Sequence, residues 1–464
     1  MTENAPPGAT APPDRIGLSS GLYVAVVIAA VGDAVLGWPM LRWIGIVATV
    51  VFLAIELRRV PMFQISMAAV LLAVGLGVGA TAQPVFDVLV AGLAKAQLFL
   101  VLFFAIMWLQ TPAAASPALQ AVQRTVVSQP PGRRFLYLAA SAHLLGAVLN
   151  VAGLVLLSTM VERQKDPVLQ RRMASALMQS YVVAAAWSPF FVGVVVILIA
   201  LPELDWSDAV SGGMPLAIIC IACAWGYDRL RYRRPAGAAQ TPTTPAVRLG
   251  AVHVGHLVAV FGSLIVAVIG TVEWTGQSLP VVLGFVAPPF GMAWMAMVKR
   301  PTVGPRRCAF NLARSVIARA AGLRSEALAF TASSIVGVGI AAGFPTEALS
   351  GLADGGGWII AGLVFGVLGL GFLGMHPLVP VIIVAEALPP DVLGLPVKIV
   401  GMCLLGAWGL TTLISPVSGT TLMMSRFVPV SSYVIAWRWN PPFTVLAAAA
   451  VTLFVYGAWR MELY

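Results

Sequence analysis

Two sets of polar residues stand inside otherwise apolar stretches of this sequence: Ser141-Ala142-His143 with Trp187-Ser188-Pro189, and Met375-His376-Pro377 with Ile414-Ser415-Pro416. An imidazole can donate or accept a hydrogen bond and can carry a proton near neutral pH. Proline removes a backbone N–H and clashes with the preceding turn, while Ser before Pro is a natural N-cap and first-turn pair. Each Ser-Pro therefore predicts a helix that stops and restarts. Asn150 follows the first histidine, and Thr411, Thr412, Ser418, Gly419, Thr420 and Thr421 surround the second Ser-Pro. A restarting half-helix offers N–H groups to an anion, and the opened carbonyls and nearby hydroxyls offer oxygens to a sodium ion. The residues expected to meet a solute are Ser141, His143, Asn150, Ser188, His376, Thr412, Ser415, Ser418 and Thr420. Those expected to handle a coupling ion, Na+ or H+, are His143, His376, Ser188 and Ser415, with the histidines tilting the choice toward protons and the ligands of any sodium site left open.

No phosphate-binding Gly-x-x-x-x-Gly-Lys loop and no His-Glu-x-x-His is present. ATP hydrolysis and the common hydrolytic chemistries thus have no visible machinery, and neither an enzyme nor an organic cofactor is expected. Cys220 and Cys223 form a single C-x-x-C in an apolar setting, and Cys308 and Cys403 are scattered, so small packed residues are expected rather than a metal site.

The elements that must position these groups follow from composition. Hydrophobic residues make up 59% of the 464 and charged ones only 10%, with mean hydropathy +0.92, so the chain reads as a polytopic, all-α membrane protein rather than a soluble globule. The net charge of +10 sits in loops between apolar runs, where the positive-inside rule places it, which removes nucleic acid as a partner and leaves membrane lipid and a small solute. Residues 1–20 lack the basic and apolar regions of a signal peptide and read as a disordered cytoplasmic tail.

Apolar runs long enough to span a bilayer fall near 21–40, 41–57, 61–82, 84–110, 172–201, 210–228, 253–270, 278–298, 327–344, 397–428 and 441–461. Two more, 135–161 and 357–388, have the same kind of loop on both sides. The first lies between basic loops (Arg124, Arg133-Arg134; Arg163, Lys165, Arg171-Arg172), and the second between acidic, base-poor loops (Glu347, Asp354; Asp391). Each is therefore expected to enter and leave by one face, as a re-entrant hairpin turning near its histidine. The count is eleven transmembrane helices plus two hairpins in two inverted repeats, with the N-terminus cytoplasmic and the C-terminus periplasmic at a bacterial inner membrane. In domain terms, an extra first helix (21–40) precedes a first repeat at 41–228, with hairpin 135–161 and broken helix 172–201. A Pro-rich cytoplasmic linker, 229–252, joins it to a second repeat at 253–464, with hairpin 357–388 and broken helix 397–428. Stretches 111–134 and 300–326 read as surface helices.

Few other ionisable groups fall within apolar runs. Asp33, Lys95 and Glu386 do; Arg426 reads as an interfacial anchor, Trp437-Arg438-Trp439 as an interfacial belt, and His253 and His256 as interfacial residues.

This layout resembles the ion transporter superfamily, which includes divalent anion/sodium symporters and the large membrane subunits of tripartite (TRAP) carboxylate transporters. The resemblance covers nearly the whole chain in topology. Ser188-Pro189 and Ser415-Pro416-Val417-Ser418-Gly419 resemble the family's unwound regions, while Ser141-Ala142-His143 and Met375-His376-Pro377 stand where divalent anion symporters carry Ser-Asn-Thr. The resemblance implies a homodimer with one scaffold and one transport domain per protomer, working by elevator-type alternating access. The function expected is secondary transport of a small, preferably anionic organic solute. A TRAP-type membrane subunit, which would need a periplasmic binding protein, and a passive channel or facilitator are the alternatives.

Overall fold

The computed structural model describes residues 16–127, 131–232, 250–299, 304–345, 351 and 355–463. Most of the N-terminal tail, linker residues 233–249 and the acidic Glu347 and Asp354 lie outside the described residues. Among those described there are helices and turns and no strand. In the first half they are α1 (Leu18–Leu36), α2 (Pro39–Glu56), α3 (Met62–Gly79), α4 (Val85–Ala115), α5 (Pro117–Val127), α6 (Pro131–Leu149), α7 (Val151–Glu162), α8 (Pro167–Val182), α9 (Val192–Ala200) and α10 (Trp206–Arg231). In the second half they are α11 (Ala251–Thr275), α12 (Leu279–Lys299), α13 (Pro305–Arg319), α14 (Arg324–Gly343), α15 (Gly357–Phe372), α16 (Leu378–Ala387), α17 (Pro390–Leu393), α18 (Val397–Ile414), α19 (Gly419–Met424), α20 (Ser432–Val434) and α21 (Pro441–Arg460).

Ten of the described helical spans are long and apolar enough to cross a membrane, which makes this a multi-pass membrane protein. The run 172–201, counted from sequence as an eleventh crossing, is not among them. Its helix ends at Val182, tightens into a 3-10 turn over Val183–Ala186 and resumes only at Val192. The stretches 135–161 and 357–388 each form two short helices about a turn, α6 with α7 and α15 with α16. Of the two surface stretches, 111–134 is divided between the end of α4, which carries Pro112 within it, α5 and the start of α6, while 300–326 contains α13.

The chain packs as two compact units that ignore the order of the sequence halves. Unit 1 comprises residues 1–116 with 262–342, and unit 2 comprises 117–261 with 343–464. In unit 1, α1 lies on α2 and α4 lies along α12. Glycines bring α3 and α14 into backbone contact, since a Cβ on Gly339 would stand 1.9 Å from the Gly75 carbonyl oxygen. Asp33, read as an intramembrane charge, pairs with Arg42 at 2.9 Å.

Glu56, fully buried at the end of α2, is held by Arg59 at 2.8 Å and by Arg324 at 3.5 Å. Both arginines reach solvent, so the carboxylate is the costly partner to strand. Glu56→Gln is expected to lower stability by about 2 kcal/mol, less than a fully buried pair would cost. A thermal unfolding midpoint that does not move would show that the arginines do not depend on this carboxylate.

Unit 2 holds both hairpins and both broken segments. Its helix α10 serves as a ruler. At one end Asp228 receives Arg172 of α8 through two bonds of 2.7 and 2.6 Å, and at the other Asp208 pairs with Lys398 of α18 at 2.8 Å. Twenty helical residues rise about 30 Å, so α8 and α18 start from opposite ends of α10 and run toward one another. They cross where α8 gives way to the 3-10 turn: a Cβ on Gly409 of α18 would lie 2.6 Å from the Val182 carbonyl oxygen.

Candidate functional site

The first break is organised by hydroxyl and amide groups reaching freed or neighbouring carbonyls. Ser188 donates its hydroxyl to the Ala147 carbonyl near the end of α6, and its oxygen also accepts the Phe190 N–H at 3.2 Å. Asn150 follows α6 directly and forms the hairpin turn at φ 52° and ψ −133°. Its Nδ2 donates to the Phe190 carbonyl at 3.4 Å, and its Oδ1 accepts the Tyr181 hydroxyl at 2.9 Å. The turn of the first hairpin is thus at Asn150, not near His143 as the apolar run alone suggests. Gly146 stays helical and faces the Tyr181 ring, which a Cβ would meet at 2.5 Å.

His143 lies two turns earlier inside α6, buried, with both ring nitrogens engaged. The Trp187 indole N–H can only donate, and it reaches His143 Nε2 at 3.2 Å. That assigns the ring proton to Nδ1, which donates to the Ser180 carbonyl at 3.2 Å, close to where α8 tightens. A proton can load onto Nε2 only if the indole bond breaks. Ser141, half-exposed on α6, is more than two turns from the hairpin turn.

The second break repeats the staple. Ser415 donates to the Met375 carbonyl in the turn between α15 and α16 at 2.8 Å. The two serine-to-hairpin bonds span 41 and 40 residues, so the correspondence extends from sequence type to hydrogen-bond partner. Here His376 does lie in the turn, beside Gly374 at φ 97°. Its Nδ1 accepts the Leu378 N–H at 3.3 Å, which places the proton on Nε2.

Pro416 cannot supply the N–H that the Thr412 carbonyl would receive in a continuous helix. The Ser418 hydroxyl takes that carbonyl at 2.5 Å, the Thr421 hydroxyl takes the Ser415 carbonyl at 2.7 Å, and Asn440 Nδ2 reaches the Leu413 carbonyl at 3.4 Å. Ser418 also caps α19 by accepting the Thr421 N–H at 3.2 Å. The open N-terminus expected there for an anion is therefore partly occupied by its own cap, which is one residue of sequence logic working against another. Thr412 returns its hydroxyl to the Gly409 carbonyl at 2.7 Å, and Thr420 is buried in α19.

Three contributors carry no local sequence signal. Asn440, fully buried, also donates to the Ile435 carbonyl at 3.1 Å and accepts from Gln179 of α8 at 3.4 Å, so it ties both halves together at the second break. Tyr181 positions Asn150. Trp437, read as an interfacial belt residue, donates its indole N–H to the Phe372 carbonyl at 3.0 Å and so reaches the end of α15. Trp439 is covered by the Arg171 guanidinium at 5.5 Å. Arg426 is exposed in the turn after α19.

Across the halves the packing is reciprocal: α16 of the second hairpin lies against α9 of the first broken segment, and α7 of the first hairpin lies against α19 of the second. No His, Cys, Asp or Glu cluster suited to a transition metal occurs among the described residues, and all four cysteines are free thiols. Around the breaks the buried polar groups are amides, hydroxyls and one imidazole. Among the described residues of unit 2 the buried carboxylate is Asp228, which is neutralised by Arg172.

No protein-family model matches the chain, and no curated protein matches it. Among solved structures it is similar to the YdaH transporter of Alcanivorax borkumensis, whose crystal structure is described as revealing an unusual topology. The likeness has a TM-score of 0.51 at 12% identity and covers 86% of this chain and 97% of that one. At that identity the likeness is one of fold.

Proposed function

We propose that this protein is a secondary active transporter that binds a small organic solute in unit 2, between the two breaks, and moves it by elevator-type alternating access with unit 1 as scaffold. The observation that carries this reading is the pair of helices broken where they cross, each stapled by its serine to the hairpin of its own half. Non-helical backbone at membrane depth persists only where protein or a water-filled cavity covers it, and inverted, discontinuous helices are how secondary transporters build a midplane site. In this proposal 135–161 and 357–388 are re-entrant hairpins entering from opposite faces.

The solute meets dipoles rather than buried cations. An anionic solute therefore needs a co-transported cation for its charge, which supports symport over a passive pore. His143 has no ring nitrogen to spare, whereas the oxygens about Ser415, Ser418 and Thr421 are acceptors. That favours Na+ over the proton first expected, with the His376 Nε2 proton as the competing device. A homodimer in a bacterial inner membrane completes the proposal.

Reconstitution into liposomes tests it. Uptake of organic anions under an imposed sodium gradient, with counterflow, is the expected result. His143→Gln, which can still donate to Ser180 and accept from Trp187, should keep at least about a third of wild-type uptake, whereas His143→Ala should lose about tenfold, as a lost buried hydrogen-bond pair implies. Flux that needs no ion gradient and shows no counterflow would replace the transporter with a facilitator. A strict requirement for a periplasmic binding protein would instead make the chain a TRAP-type subunit.

A further inference from the structure

From the exposed face of α13 we infer that unit 1 carries a docking surface for anionic phospholipid headgroups, centred on Arg306, Arg307 and Phe310. Between Glu273 and Glu326 the sequence contains no acidic residue and seven basic ones. Within unit 1, Arg319 donates to the Thr111 hydroxyl at 2.8 Å, and Arg324 faces Glu56. Arg306 and Arg307 are exposed and pair with no carboxylate among the described residues.

The helix itself is two-faced. Cys308, Leu312 and Val316 are buried, while Arg307, Phe310, Asn311 and Arg314 follow one another at helical spacing on the opposite, exposed side. Phe310 is 67% exposed, and Arg306, Arg307 and Arg314 stand three or four residues from it along α13. A helix of this kind lies in the membrane interface with its aromatic residue among acyl chains and its arginines at phosphate level. Charge complementarity selects the occupant: uncompensated arginines beside an exposed ring fit an acidic lipid, whose phosphate and acyl chain arrive together, better than a zwitterionic one.

The test uses the full-length protein in dodecyl maltoside, reading its thermal midpoint against added phosphatidylglycerol, phosphatidylcholine or inorganic phosphate. A bound ligand raises the midpoint with the logarithm of concentration over Kd. Phosphatidylglycerol should stabilise wild type while the other two do not. Arg306→Gln/Arg307→Gln should weaken the apparent affinity about thirtyfold, from about fivefold for each basic residue at a membrane surface. The Lys/Lys pair, which keeps the charge, should stay within about threefold. Equal stabilisation by phosphatidylcholine or by inorganic phosphate, or undiminished phosphatidylglycerol affinity in the Gln pair, would overturn the inference. If the Gln pair does not purify, salt decides on wild type: phosphatidylglycerol affinity unchanged by 0.5 M NaCl counts against the site as well.

Discussion

Gly213→Ala is expected to remove most of the folded protein, although it adds a single methyl group to a helix. The Cβ would stand 1.9 Å from the Ala186 carbonyl oxygen and 3.2 Å from Trp187 Cβ. The obstacle is backbone, held in the 3-10 turn that leads into the first break, so no side chain can rotate away. α10 would have to retreat, and it is pinned at both ends by Arg172 and Lys398. Overpacking of this kind costs about 1–3 kcal/mol where neighbours yield, and more where they do not.

The same helix supplies its own controls. Gly212 faces the flexible Met402 side chain at 2.6 Å, and Gly226 faces nothing within 4 Å. The expected order of damage is Gly213→Ala well above Gly212→Ala, with Gly226→Ala neutral or slightly stabilising, since alanine is favoured over glycine in a helix by about 1 kcal/mol. Monodisperse yield and thermal midpoint across the three variants measure it. Equal behaviour at 213 and 226 would mean that α10 does not press on the break.

How far such features can be read without coordinates depends on the distance over which their cause acts. The two breaks were legible because Ser-Pro acts on its own helix: 172–201 was bound to be interrupted near Pro189, and 397–428 near Pro416. The same local logic read the Thr- and Ser-rich stretch after Pro416 as polar but not as self-satisfying. The Ser418 cap and the Thr421 bond are geometric outcomes of how α19 restarts. The first hairpin turns at Asn150, seven residues beyond His143, although a histidine in an apolar run looks like the exception that marks a turn. Inside α6 it is simply a residue whose partners, Ser180 and Trp187, come from a different segment. Asn440, Gln179 and Tyr181 show the limit most clearly. Each is an ordinary polar residue with ordinary neighbours, and its role exists only because chain segments distant in sequence meet.

The division into two units was equally hidden. Apolar periodicity says where helices are and loop charge says how they are oriented, but neither says which helices share a core. The units each draw on both halves of the sequence, because helices on one side of each half find their partners in the other half. Reciprocal contacts of α16 with α9 and of α7 with α19 follow from that exchange.

Asn150→Ala should abolish transport and cost about 3 kcal/mol, because it combines a strained backbone with two stranded polar partners. At φ 52° and ψ −133° the residue occupies a region that L-residues avoid, and the side chain compensates by bonding Tyr181 and the Phe190 carbonyl from a buried position. Alanine keeps the strain and leaves both partners unpaired. Glycine relieves the strain and leaves them unpaired, so Asn150→Gly should lose about 1 kcal/mol less than alanine. Aspartate can still accept from Tyr181 but turns a carboxylate oxygen toward the Phe190 carbonyl, and should be the worst of the three. Tyr181→Phe removes one bond only, and combining it with Asn150→Ala should add less than the sum of the two. Thermal midpoints for the four single variants and the double, with transport assayed in parallel, test this ordering. If glycine proves as damaging as aspartate, the side-chain bonds rather than the backbone conformation decide the turn. If alanine is harmless in both assays, the first hairpin turn does not hold the break, and the site must be built without it.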